Sequence, residues 1–261
     1  MQAQNEGTES PQYSLAKILL IWAAAALPMG ISLWVVTPWL IPRVDIEPGF
    51  MFLVLITLGL VWHGVLAYII LRAEVKPFTW ANVKDRLWLQ APSDPRTGVR
   101  SSRVYLWMIP IILIWQAYGF IAPLNWLNEL WVKALPFLAP PPYALIQNLA
   151  QPAVGQWWLL GVLVVLLAFN HVLGEELIFR GILLPRMSGV FGKWDVIAND
   201  VLFSTYHLHK IWDLPAMLLA NWVFPYVTKR FRSYWMGAIL HVSDAPYLIV
   251  IFTLAILGMF A

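Results

Sequence analysis

The stretch Phe169-Asn170-His171-Val172-Leu173-Gly174-Glu175-Glu176-Leu177-Ile178-Phe179-Arg180-Gly181 closes a long apolar run and decides how the chain is read. A charged side chain at the centre of a membrane helix costs on the order of 3 kcal/mol, so two adjacent carboxylates and an arginine there predict chemistry rather than packing. On a helix Glu176 and Arg180 are four apart, with the acid on the favourable N-terminal side for pairing. Glu175 lies about 100° further round and is free to face a different partner.

Composition sets the surroundings of that stretch. The chain of 261 residues is 60% hydrophobic and only 12% charged, with 16 tryptophans. Its charge content is about half that of a soluble domain, and its apolar runs repeat, which predicts an all-α, polytopic membrane helical bundle. There is no cysteine. That removes a cysteine nucleophile, disulfides and thiolate metal ligands. The net charge of +3 fits basic loops on one membrane face, and no interleaved basic-aromatic segment predicts nucleic-acid binding.

Spans are expected at 15–41, 50–72, 104–122, 156–179, 196–209, 212–228 and 235–260. The last is open to a break at Pro246, giving seven to eight transmembrane helices. Residues 1–14 read as a polar N-terminal tail, 15–155 as a transmembrane scaffold with a basic loop, and 156–261 as the reactive membrane core. Lysines and arginines crowd 72–103, 180–193 and 229–232, so these loops are expected in the cytoplasm together with the N-terminus. The loops 42–49 and 123–155 then face the other side, the second turned by Pro136, Pro140, Pro141 and Pro142. The expected location is a plasma membrane of bacterial type, and oligomeric state is not legible. No internal repeat supports an inverted-repeat transporter.

Ionisable groups within the predicted spans fall almost entirely after residue 168: His171, Glu175, Glu176, Asp200, His207, His209, His241 and Asp244. A buried glutamate beside an imidazole can serve as a general base, and a second imidazole can stabilise an oxyanion. Amide hydrolysis needs both functions. Glu175 with His207 offers the first and His241 the second.

Here the residues resemble a known family. Glu175-Glu176-Leu177-Ile178-Phe179-Arg180-Gly181 is similar to the EExxxR-G motif of the CAAX prenyl proteases and bacteriocin-processing enzymes, the CPBP or Abi intramembrane proteases. Phe203-Ser204-Thr205-Tyr206-His207 resembles that family's FxxxH motif, and His241 falls where its third motif begins. The resemblance spans about 160–255 and implies a glutamate-dependent intramembrane endopeptidase. It implies that Glu175 and His207 activate water, that Glu176 and Arg180 orient the site, and that His241 contributes to the oxyanion hole. The implied substrate is a peptide or membrane-anchored protein tail met within the bilayer. One position departs from the pattern: Ala245 stands where the third motif carries Asn or Asp, with Asp244 one residue earlier. Asp244, His171 and Phe203 are therefore candidates for the surrounding layer.

No cofactor is expected. A zinc site of His171, Glu175, His207 and His241 is open on ligand type alone, although no H-E-x-x-H motif is present. Neither the serine nor the paired-aspartate signatures of other intramembrane proteases occur. Blander readings stand beside these: a helix-end ion pair for Glu176 and Arg180, helix packing or an interfacial position for His63, and a helix cap for Asp200. The alternative function is a non-catalytic immunity or scaffold protein of the same family. A proton-coupled transporter using Glu175 is the third reading. One geometric difficulty is foreseen. If a helix starts at 195, His207 lies roughly 18 Å from the loop that precedes it, far from a Glu175 placed at its own helix's cytoplasmic end.

Overall fold

The computed structural model describes residues 11–121 and 124–259. The tail expected over 1–14 lies outside them up to residue 10, as do the expected span ends at 122 and 260. Among the described residues the fold is all-helical, without a β-strand beyond one isolated bridge between Ser93 and Arg100. In chain order the principal helices are α1 (Leu15–Leu40), α2 (Pro48–Glu74), α3 (Trp80–Arg86), α4 (Met108–Ile121), α5 (Asn125–Ala134) and α6 (Ile146–Ala153). The second half adds α7 (Trp158–Arg186), α8 (Asp195–Tyr206), α9 (Leu214–Ala220), α10 (Val223–Phe231) and α11 (Tyr234–Ile256).

Four of the described helices, α1, α2, α7 and α11, are long and apolar enough to cross a membrane. The chain is an integral membrane protein. Large apolar side chains such as Leu20, Leu58, Ile114 and Val164 stand on its outside, where hydrocarbon rather than water suits them. The expected spans at 104–122, 196–209 and 212–228 appear instead as shorter helices. At 1.5 Å per residue the 14 residues of α4 reach about 21 Å, short of a hydrocarbon core of about 30 Å.

Helix α1 begins at Ser14, whose hydroxyl accepts the Lys17 N–H. Pro28 interrupts it. Proline lacks an N–H and crowds the carbonyls one turn earlier. Those carbonyls are taken from α2: Trp62 Nε1 donates to Ala24 O at 2.8 Å, and His63 Nε2 to Ala25 O at 3.1 Å. His63 is thus a buried packing histidine with a backbone partner, in line with its plain reading. Helices α1, α2, α7 and α8 share one core around Ile18, Met29, Leu60, Ile178, Phe179 and Tyr206. A second cluster joins the start of α4 to α10 and α11 through Met108, Phe224 and Leu240.

Helix α11 breaks at Ser243–Asp244, and its second half starts with Pro246 in the first turn, where a missing N–H costs nothing. The loop expected over 123–155 folds into α5, two short 3-10 turns and α6. At the other end, residues 11–14 are held rather than loose. Tyr13 N donates to Arg186 O at 2.9 Å, Arg186 Nη1 donates to Pro11 O at 2.8 Å, and the Gln12 carboxamide oxygen accepts from Ser188 and Gly189.

Candidate active site

The decisive stretch is not a regular helix. Helix α7 widens into π geometry over Phe169–Leu173, breaks at Gly174, and resumes as π over Leu177–Leu183. Gly174 is required by crowding: a Cβ there would lie 2.8 Å from the Leu60 carbonyl oxygen of α2. A π turn shifts the hydrogen-bond ladder and frees carbonyls, and such bulges recur at functional sites. Side chains meet the freed groups. His171 Nδ1 donates to Leu167 O at 3.0 Å, the Tyr234 hydroxyl to Val172 O, and Asn199 Nδ2 to Phe179 O at 2.8 Å. Arg86 of α3 donates to Gly181 O at 3.2 Å and Ile182 O at 3.3 Å, and the same guanidinium pairs with Glu74 at 2.8 Å and reaches Tyr13.

This geometry settles the depth of the two motifs. Helix α7 runs on to Arg186 instead of ending near 179, and the chain turns at 187–194. Glu175 precedes Met187 by the same twelve residues by which His207 follows Asp195, so the antiparallel arms bring them level. The helix does begin at Asp195, and the foreseen difficulty still does not arise, because Glu175 is as far from the turn as His207 is. Asp200 accordingly sits in the second turn of α8, accepting from Ser204 Oγ at 3.4 Å, and does not cap it. The helix start is tied down by an ion pair from Lys229 to buried Asp195.

Glu175, Glu176, Arg180, His171, His207 and His241 are all buried. They form two adjoining groups. In the first, Glu175 Oε1 accepts a hydrogen bond from the Tyr206 hydroxyl, and the Tyr206 ring lies 4.1 Å from that of His207. His207 Nδ1 is 2.8 Å from Phe203 O. A carbonyl only accepts, so Nδ1 carries the proton and the neutral ring presents Nε2 as a base. Lys210 adds a positive charge that Glu175 and His207 both feel.

In the second group, Glu176 Oε1 lies 3.2 Å from His241 Nδ1 and 3.6 Å from Arg180 Nε. The Arg180 guanidinium stacks 3.8 Å from the centre of the Phe203 ring and 5.4 Å from Phe224. Among the described residues its three nitrogens have no hydrogen-bond partner, so ion pairing and the aromatic faces hold it in place. The His171 and His241 rings are 4.5 Å apart, and Phe203 touches His207 and His241 on either side. Phe203 is the hub that joins the two groups.

Asp244 is engaged elsewhere. Its carboxylate accepts from Trp115 Nε1 at 3.3 Å and Gln116 Nε2 at 3.0 Å, both on α4. Among the described residues no three His, Asp or Glu side chains converge as metal ligands. Sequence reasoning missed Tyr206 and Lys210, which flank the recognised histidine on either side. A tyrosine one residue before a buried histidine is the only available hint, since a buried hydroxyl requires a partner.

The arrangement defines a class: a helical membrane protein with a buried glutamate–histidine cluster suited to proton transfer. Residues 156–243, about a third of the chain, match the family described as Rce1-like, type II CAAX prenyl endopeptidase Rce1-like, which is a CAAX-protease family. No curated protein and no solved structure matches the chain.

Proposed function

We propose that the chain is an intramembrane endopeptidase that hydrolyses a peptide bond in a membrane-delivered peptide or protein tail. The observation that carries this reading is the buried Glu175–Tyr206–His207 group set against Glu176–His241–Arg180, inside the segment that matches a protease family. Glu175 takes a proton from water as its oxygen attacks the scissile carbonyl, with His207 Nε2 on hand to share it. Charge develops on the carbonyl oxygen. His241, held through Nδ1 by Glu176, leaves Nε2 as the position from which a hydrogen bond to that oxyanion would come. Glu175 returns the proton to the leaving amine, so one water is consumed and an acid and an amine are released. No step calls for a metal, and the catalytic type proposed is glutamic.

Glu175→Gln and His207→Ala are expected to lower cleavage at least 1,000-fold while membrane accumulation stays unchanged. Addition of a chelator to purified protein is expected to leave the rate intact. Normal turnover in Glu175→Gln would sink the reading; a chelator-sensitive, zinc-restored rate would replace its mechanism. In the proposed topology the shorter helices complete a bundle of seven or eight crossings, with the N-terminus and basic loops in the cytoplasm. The second reading, a non-catalytic immunity or scaffold protein, is favoured by one observation. Ala245 lacks the motif's polar side chain, and Asp244 is committed to α4. Under it, Glu175→Gln would leave the cellular phenotype unaltered.

A further inference from the structure

A cleft of about 720 Å³ opens between α4 and α10, and its lining includes none of the buried cluster's residues. Its walls are apolar and aromatic, with Trp107, Ile111 and Ile114 along α4, and its rim at one end carries Arg96 and Arg230. Trp107 and Ile114 are largely exposed, so this wall faces the surroundings rather than the core. Among the described lining residues the one acid, Asp94, accepts the backbone N–H groups of Arg96 at 2.7 Å and Thr97 at 3.2 Å. Those bonds hold its carboxyl below the usual carboxylate range, so it organises the turn as an anion. Two arginines against one aspartate leave the rim positive, and Arg230 is steadied by donating to Pro95 O at 3.4 Å.

We infer that this cleft binds one anionic phospholipid, its phosphate between Arg96 and Arg230 and an acyl chain along Trp107, Ile111 and Ile114. The charge pattern selects the occupant. Free phosphate would leave the apolar wall uncovered, and a zwitterionic lipid would leave the rim charge unmatched. Basic pockets between membrane helices, at the face where basic loops gather, recognise anionic headgroups in this way. The floor of the cleft places the lipid close to the cluster. Trp115 packs on Phe224 with ring centres 5.1 Å apart, and Phe224 lies 5.2 Å from the His241 ring. A bound acyl chain would therefore press on a ring that itself braces His241 and Arg180.

The test is equilibrium binding to the purified full chain in neutral detergent, read by native mass spectrometry. Phosphatidylglycerol is the probe; phosphatidylcholine, glycerol phosphate and an apolar peptide with a free carboxyl terminus are the comparison arms. One phosphatidylglycerol should be retained with at least tenfold preference over phosphatidylcholine. Arg96→Gln with Arg230→Gln should cut retention at least tenfold, and Ile111→Trp, which fills the wall, should do the same. The arginine changes are at exposed positions, which guards against loss of folding. Equal retention of both lipids, an unaffected double arginine variant, or displacement by glycerol phosphate or the peptide at equal concentration would overturn the inference. Glu175→Gln should bind the lipid as the unaltered chain does, so the outcome is independent of proteolysis.

Discussion

Tyr206 is the residue whose removal separates the geometry from the motif. Its hydroxyl is the direct partner of Glu175, while its ring packs on His207 and Phe179. Tyr206→Phe keeps the ring and deletes the bond. A hydrogen bond to a charged group contributes about 1.5–3 kcal/mol to stability, so the unfolding temperature should fall, and with the carboxylate no longer held in place cleavage of the folded protein should fall roughly 10- to 100-fold. A rate equal to that of the unaltered chain would show that the bond is incidental. At this scale the sequence was informative wherever a charge stood among apolar residues, which is why Glu175, Glu176 and Arg180 could be picked out. Tyr206 carried no such contrast, because an aromatic side chain suits a packed helix whatever its hydroxyl does. Asp244 shows the reverse: its charge drew attention, and only the packing of α4 reveals Trp115 and Gln116 as its partners.

Helix α7 is the element on which both carboxylates depend, and its path was the part least legible beforehand. Hydropathy marks an apolar run and gives its rough ends. It does not register π turns, nor the break that Gly174 permits beneath the Leu60 carbonyl. That is why the expected span stopped at 179 and the two motifs seemed to lie at different depths. The far end of the π segment is held by Arg86, which reaches across from α3 to Gly181 O and Ile182 O while paired with Glu74. Arg86→Gln leaves Glu74 with only the half-exposed Lys17 and Tyr13, and gives the two carbonyls a poorer donor. Glu74 is only partly buried, so the loss is that of charge-assisted hydrogen bonds rather than of a sealed ion pair, about 1.5–3 kcal/mol. A drop of several degrees in the unfolding temperature in detergent is expected, with cleavage falling further than stability accounts for at assay temperature. Unchanged unfolding would show that the latch contributes nothing.

For the whole molecule, an all-helical membrane fold follows from composition alone, and four long apolar helices accord with it. The number of crossings did not follow, because α4, α8, α9 and α10 are shorter than a bilayer is thick and their burial depends on neighbours rather than on hydropathy. Orientation is open to a direct test, since the chain has no cysteine. Thr97→Cys on the basic loop should react with an impermeant maleimide only in inverted vesicles, and Phe137→Cys only in intact cells; the opposite pattern would invert the proposed topology. The strap formed by Pro11, Gln12 and Tyr13 has a consequence for assembly. It closes on Arg186, Ser188 and Gly189, partners 175 to 177 residues away for the side-chain bonds. During synthesis the strap emerges long before its receptor, so it can fasten only after the whole scaffold and the Glu175 helix have left the ribosome. Until that late moment the helix that carries the acid is built but not yet tied.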